Sequence, residues 1–190
     1  MADLRQRKKE RTRAALIREA IRLFAEHGYE STSVADVAAA AMVSPATFFV
    51  YFPSKEDVVF ADHGARTEAV SELLRSPGRD ENCRSRLHRA LTGMLTIGLG
   101  DVWDEDLHRR RGAVVLASPV LRAAAVRRLF ESVQVWADDL STVDSALTPF
   151  GARTLIGGAV GSCIAAAFGA DAGEESVLVL VRKALDAALG

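Results

Sequence analysis

The sequence has 190 residues, 49% of them hydrophobic, and its 24 Lys and Arg against 25 Asp and Glu leave a formal charge of −1. This composition indicates an ordinary globular protein with one large or two small cores, and it excludes a disordered chain or a uniformly basic nucleic-acid coat. The two cysteines, Cys83 and Cys163, lie far apart and outside any Cys/His cluster. We therefore expect no disulfide, no zinc site and a reducing, cytoplasmic location.

The charge is distributed unevenly along the chain. Residues 1–22 hold eight basic and three acidic side chains, a formal charge of +5, so the remaining residues carry −6. A basic segment attached to an acidic body indicates an anionic partner for one end of the protein. The alternative is a solvated helix face or a frayed terminus.

Long stretches of 3.6-residue periodicity and only five prolines predict an all-α protein. Serine or threonine caps and prolines at first helical positions mark several of the helix starts. We expect helices at about residues 10–27, 34–41, 45–52, 54–75, 87–95, 105–117, 119–140, 149–168 and 174–189. The first three form a head, residues 1–52, which a continuous helix joins to a larger helical body, residues 53–190.

The second and third helices are short and are joined by a tight turn, which is the pattern of a helix-turn-helix unit. Ala38 is small enough for the third helix to cross closely over the second, and Val37 and Val43 would fill the angle between them. Such a unit places its second helix in the DNA major groove, whose base edges carry the sequence code. The basic segment precedes this unit directly.

The residues of the head also resemble a known family. Two segments carry the likeness: LFAEHGYESTSVADVA at residues 23–38 and VSPATFFVYFPSKE at residues 43–56. Their order and spacing are similar to those of the N-terminal domain of TetR-family transcriptional regulators, over about residues 10–60. The resemblance implies a homodimeric, DNA-binding repressor whose all-helical C-terminal domain binds a small molecule and then releases the operator.

The resemblance implies a recognition helix from Pro45 to Tyr51. Thr47 and Tyr51 match family positions whose hydroxyls hold phosphates, and Lys55 matches a lysine that contacts the DNA backbone. The outward apolar residues of this helix could pack against thymine methyl groups but cannot make bidentate hydrogen bonds to guanine or adenine. With the basic arm and two cap serines, the candidate DNA-binding residues are Arg5, Lys8, Lys9, Arg11, Ser33, Ser44, Pro45, Ala46, Thr47, Phe49, Val50, Tyr51 and Lys55.

Three residues depart from the family pattern. Met42 stands in the turn where glycine is usual, so either a left-handed backbone there costs about 1 kcal/mol or the turn differs slightly from the family's. Ala46 replaces a usual glycine, and Phe49 replaces a common tyrosine and so lacks one phosphate-binding hydroxyl. These departures leave the operator sequence and affinity open.

The body is expected to form the dimer. Residues 154–170 carry no charge but are short for a membrane span and rich in glycine and alanine, so a helix buried on two sides is favoured and no membrane contact is expected. An intersubunit four-helix bundle, which is also the family's usual dimer contact, would use Gly157, Val160, Gly161, Ile164, Phe168, Val181 and Leu185. A two-fold dimer predicts a pseudo-palindromic operator with half-sites about 34–36 Å apart.

A ligand pocket is expected among the central helices. Its candidate lining is Met94, Trp103, Phe130 and Trp136, with plain core packing as the alternative for each. Arg111 could meet an anionic ligand group or simply face solvent. Arg111 and the segment SPVLR at residues 118–122 resemble a TetR subgroup with acyl-CoA-like ligands.

Enzymes are the competing class. The four histidines lack metal-ligand spacing or a nucleophile elbow, and Gly157-Gly158 lies within an apolar helix rather than in a phosphate-binding loop. We therefore expect no catalytic residue, metal or cofactor. A helical small-molecule-binding protein or enzyme without specific DNA binding, and a helical interaction adaptor, remain the alternatives.

Overall fold

The computed structural model describes residues 2–76, 78, 81–96, 105–169 and 177–190, without the side chains of residues 2, 3, 96, 105 and 178. Within these ranges the chain forms helices and no strand, which confirms the all-α prediction. The helices are α1 Ala2–His27, α2 Val34–Ala40, α3 Pro45–Tyr51, α4 Lys55–Val59, α5 His63–Arg75, α6 Cys83–Thr96, α7 Glu105–Ala117, α8 Pro119–Val143, α9 Pro149–Phe168 and α10 Val177–Leu189.

Two of the differences from the expected helix boundaries are large. The first helix begins at Ala2, eight residues before the expected start at residue 10. The continuous helix expected over residues 54–75 was wrong, because it breaks between α4 and α5. The break has a packing reason: Phe60 and Ala61 pack against a hydrophobic core, the Ala61 carbonyl accepts a hydrogen bond from Arg13 Nη2 at 2.5 Å, and Asp62 is buried.

The chain divides into two compact units. The first unit comprises Met1–Asp62 with Gly98–Ala125, and the second comprises His63–Ile97 with Val126–Gly190. This packing division does not follow the functional boundary predicted at residue 52, because Val58 and Val59 of α4 are fully buried in the same cluster as α1. The division into DNA-binding and ligand-binding parts at residues 1–52 and 53–190 stays a prediction.

The core of the first unit is built mainly on α1. Leu16, Ile17, Ala20 and Ile21 are completely buried, as the spacing of apolar residues on one helical face requires. They pack with Val37 and Ala38 of α2, Phe48 of α3, Val58 and Val59 of α4, Leu107 and Val114 of α7 and Leu121 of α8. The short helices α2 to α4 are thus held by tertiary packing, since helices of five to seven residues are not stable alone.

The core of the second unit surrounds Trp136 of α8. Its ring is buried, and its indole Nε1–H donates to the Thr67 carbonyl oxygen at 3.0 Å. Leu87 and Leu91 of α6, Ile156 of α9 and Leu185 of α10 complete the same cluster. The predicted apolar stripe of the helix beginning at Pro119 is therefore confirmed from Val133 to Leu140.

One helix in the described ranges, α9, is long and apolar enough to cross a membrane, with a mean hydropathy of 1.3; α2 and α3 pass the same test only as a bent pair. A core helix of a soluble protein passes this test equally well. Ala152, Ile156 and Ala159 of α9 are buried in the second unit, so the helix already has a packing role for one face.

Candidate nucleic-acid interface

The N-terminus of α2 is fixed by a capping box. Ser33 Oγ accepts a hydrogen bond from the Asp36 backbone N–H at 3.1 Å, and Asp36 Oδ2 accepts one from the Ser33 backbone N–H at 2.8 Å. The hydrogen bond from the Ser33 side chain, followed by that from its backbone, lowers the pKa of Asp36 below its ordinary value. The predicted cap is therefore confirmed, and it defines where the helix-turn-helix unit begins.

The turn between α2 and α3 has a left-handed backbone at Met42, which is the first of the two alternatives that the sequence left open. Met42 has φ 56, and the Val43 N–H closes the turn by donating to the Ala38 carbonyl at 2.9 Å. The side chain of Met42 is 92% exposed, so it gains no packing in return for the strained backbone. A glycine at this position would adopt the same backbone without that cost.

Helix α3 presents one face to the core and the other to solvent. Ser44 Oγ accepts from the Thr47 backbone N–H at 3.1 Å, and Pro45 occupies the first turn. The fully buried Phe48 anchors the helix, and α3 crosses α2 at 95°, within the range of helix-turn-helix units. On the outer face Phe49 is 54% exposed and Val50 is 76% exposed, and Pro45 and Ala46 are exposed as well.

The basic arm is helical and lies beside α3. Arg5, Lys8, Lys9 and Arg11 are all exposed on α1. A groove of about 320 Å³ separates this part of α1 from α3 and is lined by Gln6, Lys9, Glu10, Arg13, Val50 and Tyr51. The fold thus brings Lys9 and Tyr51, two predicted phosphate contacts from different helices, to one groove.

Two cations of the first unit are directed into the protein. Arg13 donates to the Ala61 carbonyl, and its guanidinium carbon lies 5.5 Å from the centre of the Phe52 ring. Lys55 Nζ donates to the carbonyl oxygens of Tyr29 at 2.7 Å and Thr32 at 2.9 Å. Sequence reasoning missed both internal roles. The sequence did contain one signal for the internal role of Lys55. A cation at the first position of a helix interacts unfavourably with the helix dipole, so other groups must hold it there.

The loop from residue 28 to residue 33 has two further hydrogen bonds. The hydroxyl of buried Thr32 donates to the Gly28 carbonyl at 2.9 Å, and Gly28 itself has φ 87. Ser118 Oγ, between α7 and α8, donates to Glu30 Oε1 at 2.6 Å. The loop is therefore bonded to α4 by Lys55 and to the start of α8 by Ser118.

The described residues among those predicted for the ligand pocket have different surroundings within their own units, and the pocket stays a prediction. Phe130 is 65% exposed because it lies one residue beyond the buried face that runs through Leu129 and Val133. Trp136 is a core residue, and Met94 is half-buried at the margin of the same core. Arg111 belongs to the first unit, where its Nη1 pairs with Asp62 Oδ1 at 2.6 Å. Trp103 lies outside the described residues.

The predicted dimer residues divide into two groups. Val160 and Leu185 are buried in the second unit's own core because α9 and α10 pack on each other, so the expectation that they lie on a dimer surface was wrong. Ile164 packs against that core, and Val181 and Gly157 are half-buried.

Gly161 and Phe168 are exposed, and a Cβ built on Gly157 or Gly161 would meet no other atom within 4 Å. The predicted burial of α9 on two sides is therefore not found within one chain. Its open face borders a groove of about 470 Å³ lined by residues that include Arg84, Phe150, Thr154, Gly158, Ser162 and Ala188.

Comparisons with known proteins agree with this geometry. Residues 16–61 match the family described as bacterial regulatory proteins, tetR family. The transcriptional regulator TcmR of Streptomyces glaucescens is 41% identical over 128 residues, which cover 66% of this chain and 57% of TcmR. The chain spans a little over half the length of the curated relatives it matches.

Two solved structures share the helical fold. The fatty acid degradation regulator FadR of Bacillus halodurans has a TM-score of 0.60 at 18% identity, covering 94% of this chain and 95% of FadR. The transcriptional regulator FadR of Bacillus subtilis, solved with stearoyl-CoA, has a TM-score of 0.55 at 18% identity, covering 92% and 96%. At this level of identity the likeness establishes the fold alone.

The N-terminal helices form a helix-turn-helix unit of the class found in bacterial transcriptional regulators, and the rest of the described chain is helical as well. Residues 16–61 therefore form a domain of the tetR family of bacterial regulatory proteins.

Proposed function

We propose that this protein is a sequence-specific DNA-binding regulator that represses transcription as a homodimer and releases its operator when a small molecule binds the predicted C-terminal domain, residues 53–190. The observation that carries the proposal is the outer face of α3, which is exposed while Phe48 on the opposite face anchors the helix. A helix held at 95° to its predecessor, with one face free, fits the width of the major groove.

Phosphate contacts supply the affinity in this proposal. Lys9 and Tyr51 line one groove beside α3, and Thr47 lies in the first turn of the same helix. Arg5, Lys8 and Arg11 extend the positive charge along α1. Binding should therefore weaken steeply with salt, because each neutralised phosphate releases counterions.

Base recognition would depend on apolar contacts. The exposed side chains Ala46, Phe49 and Val50 offer no hydrogen-bonding group to a base edge. Methyl–methyl and methyl–ring contacts with thymine are the direct readout available to them. We propose half-sites in which thymines occupy the positions that α3 faces.

The open face of α9 supports the homodimer. Gly157 and Gly161 leave room for a second helix, and Phe150, at 75% exposure, and Phe168 supply apolar surface nearby. A two-fold axis through this face would present two α3 helices to a pseudo-palindromic operator.

The effector is proposed to be a small molecule of acyl-CoA type. The support is the likeness of Arg111 and residues 118–122 to the acyl-CoA-responsive subgroup, together with the shared fold of the Bacillus subtilis FadR complex. Release of bound DNA by stearoyl-CoA but not by free coenzyme A would support this class; no release by any acyl chain length would contradict it. We also propose a cytoplasmic location, where the DNA would lie.

Selection of bound duplexes from a random-sequence pool tests DNA recognition directly. The wild-type protein should enrich a pseudo-palindromic, thymine-containing site. Val50→Glu, which places a negative charge on the outer face of α3, should abolish the enrichment, whereas Gln134→Glu at an exposed site on α8 should preserve it. A wild-type pool without a common sequence would contradict the proposal.

A further inference from the structure

The side chain of Lys55 makes contacts within the protein that differ from those expected of a cation that binds a DNA phosphate. Its ammonium donates to the carbonyl oxygens of Tyr29 at 2.7 Å and Thr32 at 2.9 Å. The nitrogen also lies 4.1 Å from the centre of the Tyr29 ring and 5.9 Å from that of Phe24. An ammonium has three N–H donors, so two are used by carbonyls, and the ring of Tyr29 provides a cation–π surface.

The two carbonyls belong to the loop that sets the start of α2. Thr32 is buried, its hydroxyl donates to Gly28, and Ser33 immediately afterwards is the N-cap of α2. Helix α2 in turn carries the Ala38 carbonyl, which accepts the hydrogen bond that closes the turn before α3. The position of α3 therefore depends on this loop, and Lys55 connects the loop to α4.

We infer that Lys55 is a positioning residue for DNA binding, which ties the loop at residues 28–33 to α4 instead of neutralising a DNA phosphate. The inference rests on the proposed DNA binding for its functional consequence and on the two carbonyl contacts for its geometry. Burial, opposed by the nearby charge of Glu30, lowers the pKa of Lys55, in keeping with an enclosed ammonium.

Salt titration separates the two roles. A residue that contacts a phosphate contributes about 0.9 to the slope of log affinity against log salt concentration, whereas a positioning residue contributes nothing to that slope. Operator affinity is measured from 50 to 300 mM NaCl on a duplex enriched by the wild-type protein, at a temperature where every variant is fully folded by circular dichroism. The variants are Lys55→Met and Lys55→Gln, with Lys9→Met as the phosphate control and Val59→Ala as a destabilised control on the same helix.

Lys55→Met is expected to bind the operator at least tenfold more weakly with an unchanged salt slope, and its unfolding midpoint should fall by about 4 °C. Lys55→Gln keeps an N–H donor but no charge, and it should retain the wild-type slope with a smaller loss of affinity. Lys9→Met should lower the slope by about 0.9 and leave the midpoint unchanged. Val59→Ala should lower the midpoint without weakening binding by the folded protein, which distinguishes positioning from general stability.

A slope reduced by about 0.9 in both Lys55 variants, with an unchanged midpoint, would overturn the inference in favour of a phosphate contact. Wild-type affinity in Lys55→Met, or a loss no greater than that in Val59→Ala, would overturn it as well. If the wild-type protein bound no duplex, the proposed function would fail. Hydrogen exchange of the Ser33 to Asp36 amides in the free protein would then test the tie itself: exchange as slow in Lys55→Met as in wild type would refute it.

Discussion

Replacing Met42 with glycine should stabilise the protein. Among the described residues, Met42 is the one residue other than glycine that has a positive φ. Its side chain is 92% exposed, so the substitution removes no packing. Relief of the left-handed backbone is worth about 1–2 kcal/mol. The greater freedom of glycine in the unfolded chain offsets about 0.4–1 kcal/mol of this. The expected net gain is about 0.5–1 kcal/mol.

The gain can be measured by thermal unfolding of the full chain, followed by circular dichroism. For a chain of this size, it corresponds to a midpoint about 1–4 °C higher. Met42→Ala is the matched control, because alanine keeps the Cβ that causes the strain and should leave the midpoint near that of wild type. Hydrogen exchange at the Val43 amide, which closes the turn, should slow in the glycine variant.

A midpoint for Met42→Gly equal to or below that of Met42→Ala would refute this reasoning, since both variants lose the same exposed side chain beyond Cβ. Such a result would mean that the left-handed turn costs the folded state nothing. DNA affinity provides an independent check: relief of strain alone should leave it unchanged, so a large loss would indicate a DNA contact by the Met42 side chain.

Four other substitutions test separate contacts. Trp136→Phe should lower the free energy of unfolding by about 1–3 kcal/mol in urea titrations, because the hydrogen bond from the Trp136 indole to the Thr67 carbonyl is lost. The hydrogen bond from Arg89 is the main cause that lowers the pKa of Glu81 to about 2. The stabilisation of the folded state by this carboxylate is therefore present above the pKa of the unfolded state and is lost as pH falls toward 2. Glu81→Gln should remove this part of the acid dependence of the unfolding midpoint. Ser118→Ala should raise the pKa of Glu30, read by carboxyl-carbon NMR, because the Ser118 hydroxyl is the main cause of its lowering. Gly161→Leu should leave the subunit folded but dissociate the proposed dimer in sedimentation; an intact dimer would count against the α9 interface.

The helix-turn-helix unit was predictable because its signals are local. The caps at Ser33 and Ser44 and the proline at Pro45 determine where α2 and α3 begin, and each involves residues within three positions along the chain. The choice at Met42 between a strained left-handed backbone and an altered turn was likewise visible, since it depends on the residue type at one position, and the structure has the left-handed backbone. These features follow from backbone geometry rather than from the rest of the fold.

What the sequence did not reveal depends on partners distant along the chain. The break after α4 involves Arg13, 48 positions before Ala61, and the inward direction of Lys55 involves carbonyls 23 and 26 positions away. The pocket assignment, which stays a prediction, depends on information of the same kind. Aromatic residues at helical spacing, such as Phe130 and Trp136, do not specify which face of α8 the neighbouring helices cover.

The leading part of α1 determines how far the basic arm reaches. Residues 4–11 are exposed, and complete burial begins at Leu16, so these turns extend beyond the core as a helix. At 1.5 Å per residue, Lys9 stands about 10 Å along the axis from Leu16, and Arg5 about 16 Å. Cationic side chains on a helix keep a fixed spacing along the duplex, whereas a flexible tail would have to become ordered each time it bound DNA. A proline at Thr12 would break or kink α1 between the basic residues and the core without changing their charge. DNA affinity of this variant would separate the effect of the charge from the effect of its position.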